Sequence, residues 1–194
     1  MLVRSIVSFM LSILLFSCNN NKQQGGTQIS KEDQIVNNLM LQCRNFDTNE
    51  FILGLPGEWI EDSSLVYDEN WQQIDHCNKL MGEWYVVGGP GVEKYIFCNG
   101  GKGSYLSYGS SLGPLPEEYA ATFEWDYNIE TKELAVNGVI TSGELKGGPY
   151  NFQYLVSGYN GQYLILDYNI TVYDQFADKY ISTNIRKIYK KNEL

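Results

Sequence analysis

Histidine is almost absent from this sequence, which has a single one, His76, among 194 residues. Asp75 and Cys77 flank it, but it has no second ligand for a metal ion and no nucleophile at a defined spacing. The acidic stretch Asp68-Glu69-Asn70 lacks the glycine and the distal glutamate of a calcium-binding loop. A structural or surface role is therefore favoured for His76, and the sequence predicts neither a metal site nor a cofactor.

Paired carboxylates are the remaining route to catalysis. Glu117-Glu118, Glu124 with Asp126, and Asp174 with Asp178 are candidates for a glycosidase-like pair, whose function would depend on the separation of the two carboxyl groups. Glu124 and Asp126 fit better as solvent-facing residues of a strand. We therefore predict a protein that is not an enzyme.

Basic residues are also scarce, with 14 lysines and arginines against 23 aspartates and glutamates and a net charge of −9. Without residues 1–17, in which Arg4 is the only charged residue, the balance is 13 against 23, or −10. A surface of this charge repels phosphate backbones. The composition therefore argues against nucleic acid as the main partner.

The sequence has one long apolar run, Ile6 to Phe16, which follows Arg4. It is too short for a good membrane span and suits the hydrophobic region of a signal peptide. It ends in Leu15-Phe16-Ser17-Cys18, which resembles a bacterial lipobox. The resemblance implies that residues 1–17 are a lipoprotein signal peptide and that Cys18 carries acyl chains such as palmitate; an ordinary secretory signal is the alternative.

Residues 18–29 have almost no apolar content after the cysteine and are typical of a flexible tether. Asn19 stands where, by resemblance to enteric lipoproteins, an aspartate would favour retention in the inner membrane. The tether also lacks the acidic run that resembles a surface-export signal in Bacteroidetes lipoproteins. We therefore expect a lipid anchor in the outer membrane of the cell envelope, on the periplasmic face.

Tyrosine and glycine are abundant, with 15 and 19 residues, and this composition is typical of strands joined by tight turns. The clearest stretch is residues 123–138, in which Phe123, Trp125 and Tyr127 alternate with polar residues. Residues 128–132 then supply turn chemistry before an apolar rhythm resumes at Leu134. The stretch predicts a β-hairpin.

Further glycine-rich turns divide the rest of the chain into short strands. The first strand is expected to begin within residues 51–66, whereas residues 67–81 fit a helix or a strand equally well. The count is about eight to ten strands, which predicts an all-β, antiparallel up-and-down β-barrel over residues 50–194. The predicted turns and connections are residues 99–103, 110–118, 143–150, 158–161 and 173–180.

The order of motifs resembles the lipocalin-like (calycin) domains of Bacteroidetes lipoproteins over roughly residues 54–190. The motifs are a Gly-x-Trp triplet, then KYIFCNGGKGSY, FEWDYNIETKELAVNG and FQYLVSGYNGQYLILDY. In lipocalins the tryptophan of Gly-x-Trp packs at the closed end of the barrel beneath an arginine from the last strand. The resemblance implies that Trp59, or alternatively Trp84 of the second Gly-Glu-Trp triplet, forms this pair with Arg186.

A barrel of about eight strands is either packed with side chains or just able to hold one small ligand. The resemblance favours a small apolar ligand in the interior, and Tyr108, Tyr119, Trp125 and Tyr154 are candidates for contacting it at the barrel mouth. The alternative is an envelope module that binds glycan or protein through aromatic surface loops.

A short amphipathic helix is expected to precede the barrel, within residues 30–45. Ser30 is the predicted N-cap, and carboxylates follow in the first turn. One helical face is apolar, which predicts packing against the barrel. That face comprises Ile35, Val36, Leu39, Met40 and Cys43.

Three cysteines remain beyond Cys18, namely Cys43, Cys77 and Cys98. In an oxidising periplasm two of them can pair, and Cys77 with Cys98 is the predicted disulfide. Three buried thiols that act as small apolar side chains are the alternative.

Overall fold

The computed structural model describes residues 31–72, 93–109, 117–143, 145–174 and 178–193. Several predictions of the sequence therefore lie outside the described residues: the signal peptide and the lipid on Cys18, the tether, the roles of His76, Cys77 and Trp84, and the loop around Pro114 and Pro116. The side chain of Tyr108 is outside them as well.

Eight antiparallel strands form one closed barrel in which each strand pairs with its neighbours in sequence and the last pairs with the first. The predicted all-β, up-and-down barrel is thereby confirmed, with eight strands. The strands are β1 Gly57–Tyr67, β2 Glu93–Cys98, β3 Lys102–Gly109, β4 Glu117–Asn128, β5 Glu133–Ile140, β6 Pro149–Tyr159, β7 Tyr163–Asp174 and β8 Lys179–Lys191.

The predicted hairpin over residues 123–138 is confirmed as β4 and β5. The side chain of Asn128 closes the turn by accepting hydrogen bonds from the backbone N–H groups of Glu130 and Thr131, at 2.9 and 3.2 Å. Gly138 lies inside β5, where a Cβ atom would stand 2.0 Å from the carbonyl oxygen of Thr122. Only glycine lets the two strands approach this closely.

Two elements differ from the prediction. The first strand begins at Gly57, within the predicted range, but residues 48–54 before it form a helix that was not predicted, α2, Thr48–Gly54. Asp47 caps this helix by accepting hydrogen bonds from Asn49 N and Glu50 N at 2.8 and 3.0 Å. Within the polar connection expected at residues 173–180, residues 173, 174, 179 and 180 belong to strands, because β7 continues to Asp174 and β8 begins at Lys179.

The predicted amphipathic helix is α1, Lys31–Cys43. The chain divides into units of residues 1–34 and 35–194, and the barrel belongs wholly to the second unit. Within that unit, Cys43 is fully buried in a cluster with Ile165 and Ile188 on the outer face of the barrel. Val36, Leu39 and Met40 pack against the same cluster, whereas Ile35, which was expected on this face, is 66% exposed.

Gly158 of β6 allows this approach, because a Cβ atom there would lie 2.8 Å from the Cβ atom of Cys43. The buried thiol has a raised pKa because burial disfavours its charged form. Neither helix in the described part of the chain is long and apolar enough to cross a membrane.

The interior of the barrel is lined by large side chains, most of them aromatic. Helix α2 and the first residues of β1 close one end of the barrel, which we call the capped end. We call the opposite end, at which β1, β3, β5 and β7 finish, the far end. The buried aromatic residues of the core are Phe51, Trp59, Tyr95, Phe97, Tyr105, Phe123, Tyr127, Tyr150, Tyr154, Tyr159 and Tyr189.

Candidate functional site

The capped end is a plug of aromatic rings around Trp59. Phe51 of helix α2 lies 4.6 Å from Tyr127 and 5.2 Å from Tyr159, measured between ring centroids. The indole nitrogen of Trp59 donates a hydrogen bond to the carbonyl oxygen of Leu55 at 2.8 Å, so that its one polar group is satisfied although the ring is fully buried. The interior at this end of the barrel is closed by apolar packing.

The cation over Trp59 is Lys191, and the predicted pairing with Arg186 is wrong. Lys191 Nζ lies 5.2 Å from the Trp59 ring centroid and donates a hydrogen bond to the carbonyl oxygen of Gly54 at 2.6 Å. In the register of β1 and β8, Trp59 stands opposite Lys191, whereas Arg186 stands opposite Leu65. Side chains alternate along β8, which leaves Arg186 on the outer face.

A network of tyrosine hydroxyls lies in the middle of the interior. The hydroxyl of Tyr95 is 2.7 Å from that of Tyr150 and 2.6 Å from that of Tyr154. Burial is the main cause that raises the pKa of each of these three tyrosines. The hydroxyls therefore stay protonated, and each offers a neutral donor and acceptor in an otherwise aromatic interior.

Beside this network, three strands bring charged side chains together inside the barrel. Lys187 of β8 pairs with Glu61 of β1 at 3.5 Å and also with Glu93 of β2. Tyr189 donates a hydrogen bond to Glu93 at 3.2 Å. One ammonium group thus serves two carboxylates, and the interior cluster of Glu61, Glu93 and Lys187 carries an excess of one negative charge when both acids are ionised.

In this region Oγ of Ser64 is buried without a hydrogen-bond partner, and Oε1 of Glu61 is buried with only its ion pair to Lys187 at 3.5 Å. Burial is the main cause that raises the pKa of Glu61; the charge of Lys187 opposes it, and that of Glu93 adds to it. Buried polar atoms are normally satisfied, and exceptions concentrate at functional sites. The cluster therefore has spare capacity to accept hydrogen bonds.

Sequence reasoning did not identify Glu61, Glu93 or Lys187. A signal was present on β2, where Glu93 shares the alternation of the buried residues Tyr95 and Phe97. On β1, Glu61 shares the alternation of the buried residue Trp59, and the β-bulge between Glu61 and Ser63 changes the set of residues that face inward only beyond it.

The four mouth candidates are distributed over the whole barrel. Tyr119 lies toward the far end, half buried, with its ring 6.2 Å from Tyr105. Tyr154 belongs to the buried hydroxyl network. Trp125 lies at the capped end, where its indole nitrogen donates to the carbonyl oxygen of Lys102 at 3.0 Å, so its predicted place at the mouth is wrong. Tyr108 belongs to β3 by its backbone.

Toward the far end, β6 and β7 are not paired with each other, which leaves a gap in the barrel wall that we call the parting. In the described residues, β6 pairs with β7 from Leu155 to Tyr159, while residues 149–154 pair with β5 and residues 168–174 with β8. Phe152, on the inner face of β6, is 39% exposed beside this parting. The rings of Tyr154 and Tyr168 meet across it, 5.4 Å apart. The parting therefore lies next to the hydroxyl network.

On the outer face, Arg186 forms a two-point ion pair with Asp167, at 2.8 and 2.7 Å. Its guanidinium carbon lies 5.4 Å from the ring centroid of Tyr67 and 5.1 Å from that of Trp71. Burial alone would lower the pKa of Arg186, but the hydrogen bond and charge of Asp167 outweigh it and raise this pKa. Arg186 is a fixed cation of the outer surface.

Cys43 is buried and Cys98 is exposed, and neither forms a disulfide with another described residue. Because Cys77 lies outside the described residues, its pairing with Cys98 stays a prediction. Glu124 and Asp126 are exposed, as expected of solvent-facing strand residues.

Within the described ranges, no group of three or more histidine, cysteine, aspartate or glutamate side chains is placed to hold a metal ion. Comparison of the sequence with models of protein families and with curated proteins finds no match.

Proposed function

We propose that this protein is a non-catalytic, lipocalin-like binding barrel of the cell envelope that holds one small, largely apolar ligand in the far half of its interior. The observation that carries the proposal is the interior cluster of Glu61, Glu93 and Lys187 beside the tyrosine hydroxyl network. Polar groups that converge within an aromatic interior are the usual signature of a small-molecule site.

The two ends of the barrel favour binding in the far half. Trp59, Lys191 and helix α2 close the capped end, so no ligand enters there. The parting between β6 and β7 gives a ligand a lateral path to Tyr154 and Tyr95. The aromatic rings supply apolar contact, while the tyrosine hydroxyls and the buried hydroxyl of Ser64 orient a polar group of the ligand.

The chemistry of the same groups supports the proposed non-catalytic role. The tyrosines that line the interior have raised pKa values and stay protonated, so they do not serve as bases near neutral pH. Lys187 is engaged in ion pairs with two carboxylates, which leaves its amine poorly placed to attack a ligand. These groups suit the binding of a ligand more than a chemical reaction on it.

Native mass spectrometry of the protein, isolated from cell envelopes without denaturation, tests the proposal. We expect an adduct of one small molecule that is lost on denaturation. Ala121 is the small inward-facing residue of β4, and Ala121→Phe should fill the site and remove the adduct. Ala135→Phe is the matched control, because Ala135 lies on the opposite face of the neighbouring strand. An unliganded mass for the wild-type protein, or an adduct that persists in Ala121→Phe, contradicts interior binding.

The lipid anchor belongs to the same proposal and has its own test. We propose that acyl chains on Cys18 hold the protein in the outer membrane, on the periplasmic face. Metabolic labelling with an alkyne analogue of palmitate should mark the wild-type protein and not Cys18→Ser. Protease treatment of intact cells should leave the protein uncut; labelling of Cys18→Ser, or cleavage in intact cells, contradicts the anchor or its orientation.

The second candidate function, an envelope module that binds glycan or protein through aromatic residues, is favoured by two exposed rings of the outer surface. Trp71 is 41% exposed and Tyr180 is 73% exposed. Binding of this kind should survive Ala121→Phe, which distinguishes it from binding in the interior.

A further inference from the structure

The outer faces of β7 and β8 carry a row of neutral polar side chains between the ion pair of Arg186 with Asp167 and the far end of the barrel. Asn169 donates hydrogen bonds to Ser182 Oγ and Asn184 Oδ1 at 2.8 and 2.9 Å, and Ser182 donates back to Asn169 Oδ1 at 3.2 Å. These mutual bonds fix the direction of each group before any ligand binds. We call Asn169, Ser182 and Asn184 the outer polar row.

An exposed tryptophan stands at one end of the outer polar row. The side chain of Asp68 accepts hydrogen bonds from the backbone N–H groups of Asn70 and Gln72, both at 2.9 Å, and so shapes the turn that carries Trp71. Asn184 ties this turn to β8 by donating to the carbonyl oxygen of Asp68 at 2.8 Å.

Trp71 itself is held in an uncommon conformation, with a backbone φ of 58°. A bulky residue in this left-handed region is strained, and such strain persists where the surrounding structure enforces it. The guanidinium of Arg186 lies against the ring at 5.1 Å and supports it. The ring is thus presented to solvent in a fixed position although it is 41% exposed.

The charges of this surface favour a neutral ligand over an anionic one. Arg186 is matched by Asp167, and the outer polar row is neutral, so the surface offers no unmatched cation to a phosphate, sulfate or carboxylate. Its serine hydroxyl and amide oxygens instead accept hydrogen bonds beside an aromatic face. A ligand with apolar C–H faces and many hydroxyl donors complements both features.

We propose that Trp71 and the outer polar row bind a neutral oligosaccharide, which stacks one sugar on Trp71 and directs hydroxyls to Asn169 and Ser182. Ser182 and Arg186 are four positions apart on β8, which corresponds to about 14 Å along the strand. The site therefore takes a short oligosaccharide lying along β8 in preference to a single sugar. It is separate from the barrel interior and does not depend on a ligand there.

A glycan array probed with the purified protein tests this inference, with glucose, mannose and N-acetylglucosamine oligomers of varied length beside sulfated and uronic-acid oligomers. We expect binding to neutral oligomers of more than one sugar. Trp71→Ala should weaken binding about tenfold, which is the contribution of one well-placed aromatic contact, and Trp71→Phe should largely preserve it. Leu53→Ala is the control, because Leu53 is an exposed apolar side chain at the capped end.

Asn169→Ala provides a second variant that leaves the Trp71 turn intact and should also weaken binding. Circular dichroism and thermal unfolding establish that each variant is folded. Absence of binding to every neutral oligomer, a preference for anionic oligomers, or equal binding by wild type, Trp71→Ala and Asn169→Ala would each overturn the inference. Ala121→Phe should leave glycan binding unchanged, so that this site and the interior site succeed or fail separately.

Discussion

The two halves of the barrel interior are built from similar residues and differ in how their polar atoms are used. At the capped end, the polar atoms of Trp59 and Lys191 bond to the backbone of the chain segment that carries helix α2. From the middle of the interior toward the far half, tyrosine hydroxyls bond to one another and three charged side chains lie together. The first arrangement closes the barrel, whereas the second keeps polar groups in its centre.

We relate this difference to two roles, stability at the capped end and the proposed ligand binding in the far half. Burying Glu61, Glu93 and Lys187 costs desolvation energy, and apolar residues of similar size would often be at least as stable. Departures from the most stable solution are expected where a protein binds something. We therefore assign stability to the capped end and binding to the far half, and the following predictions test this division.

The largest effect is expected at the capped end. Trp59→Ala should lower the free energy of unfolding by about 4 kcal/mol, because it leaves a large cavity in a fully packed plug. Urea denaturation measures the change, and Ile129→Ala, at the exposed β4–β5 turn, is the control that should change little. A loss below about 1 kcal/mol for Trp59→Ala would mean that the plug does not stabilise the barrel.

The charged cluster should also be costly to break, but only at pH values where its acids are ionised. Lys187→Met removes the one cation between Glu61 and Glu93 and should lower the free energy of unfolding by about 3 kcal/mol near neutral pH. Adding Glu61→Gln to this variant should restore part of the loss, because it removes one of the two unpaired charges. If the double variant is less stable than Lys187→Met, the repulsion that we infer is absent.

A smaller effect is expected where helix α2 meets the barrel wall. A Cβ atom at Gly54 would lie 1.8 Å from the hydroxyl oxygen of Tyr159. Gly54→Ala should therefore lower the free energy of unfolding by about 2 kcal/mol through overpacking. Tyr159→Phe removes the clashing hydroxyl, so the double variant should recover stability relative to Gly54→Ala; equal stability of the two would show that the clash is not responsible.

The smallest effect concerns the pH dependence of stability. The folded-state pKa of Glu61 is raised by burial, so between the ordinary glutamate pKa and this raised value the folded protein binds more protons than the unfolded chain. Glu61 therefore makes stability fall as pH rises through that window. Glu61→Gln should reduce this fall, measured as the difference between the two curves of thermal midpoint against pH; an unchanged or steeper fall contradicts the assignment.

The alternation of Phe123 and Tyr127 with exposed neighbours was sufficient to predict the β4–β5 hairpin, because strand faces and turns depend on residues close in sequence. The same local reasoning placed Cys43 on the buried face of helix α1. It failed for helix α2, although Asp47 and Glu50 at a spacing of three form a recognisable helix start. The apolar residues that follow form a helical face only one turn long, which is too short a pattern to predict a helix.

The sequence by itself determined the strand-rich class, the number of strands within narrow limits and most of the turns, since these follow from side-chain period and turn chemistry. The tertiary structure alone decided that Lys191 and not Arg186 covers Trp59, and that Glu61, Glu93 and Lys187 meet. These outcomes depend on strand register between segments more than 90 residues apart and on the bulge between Glu61 and Ser63. A one-residue shift of register turns a side chain from the interior to the surface, and no local pattern records that choice.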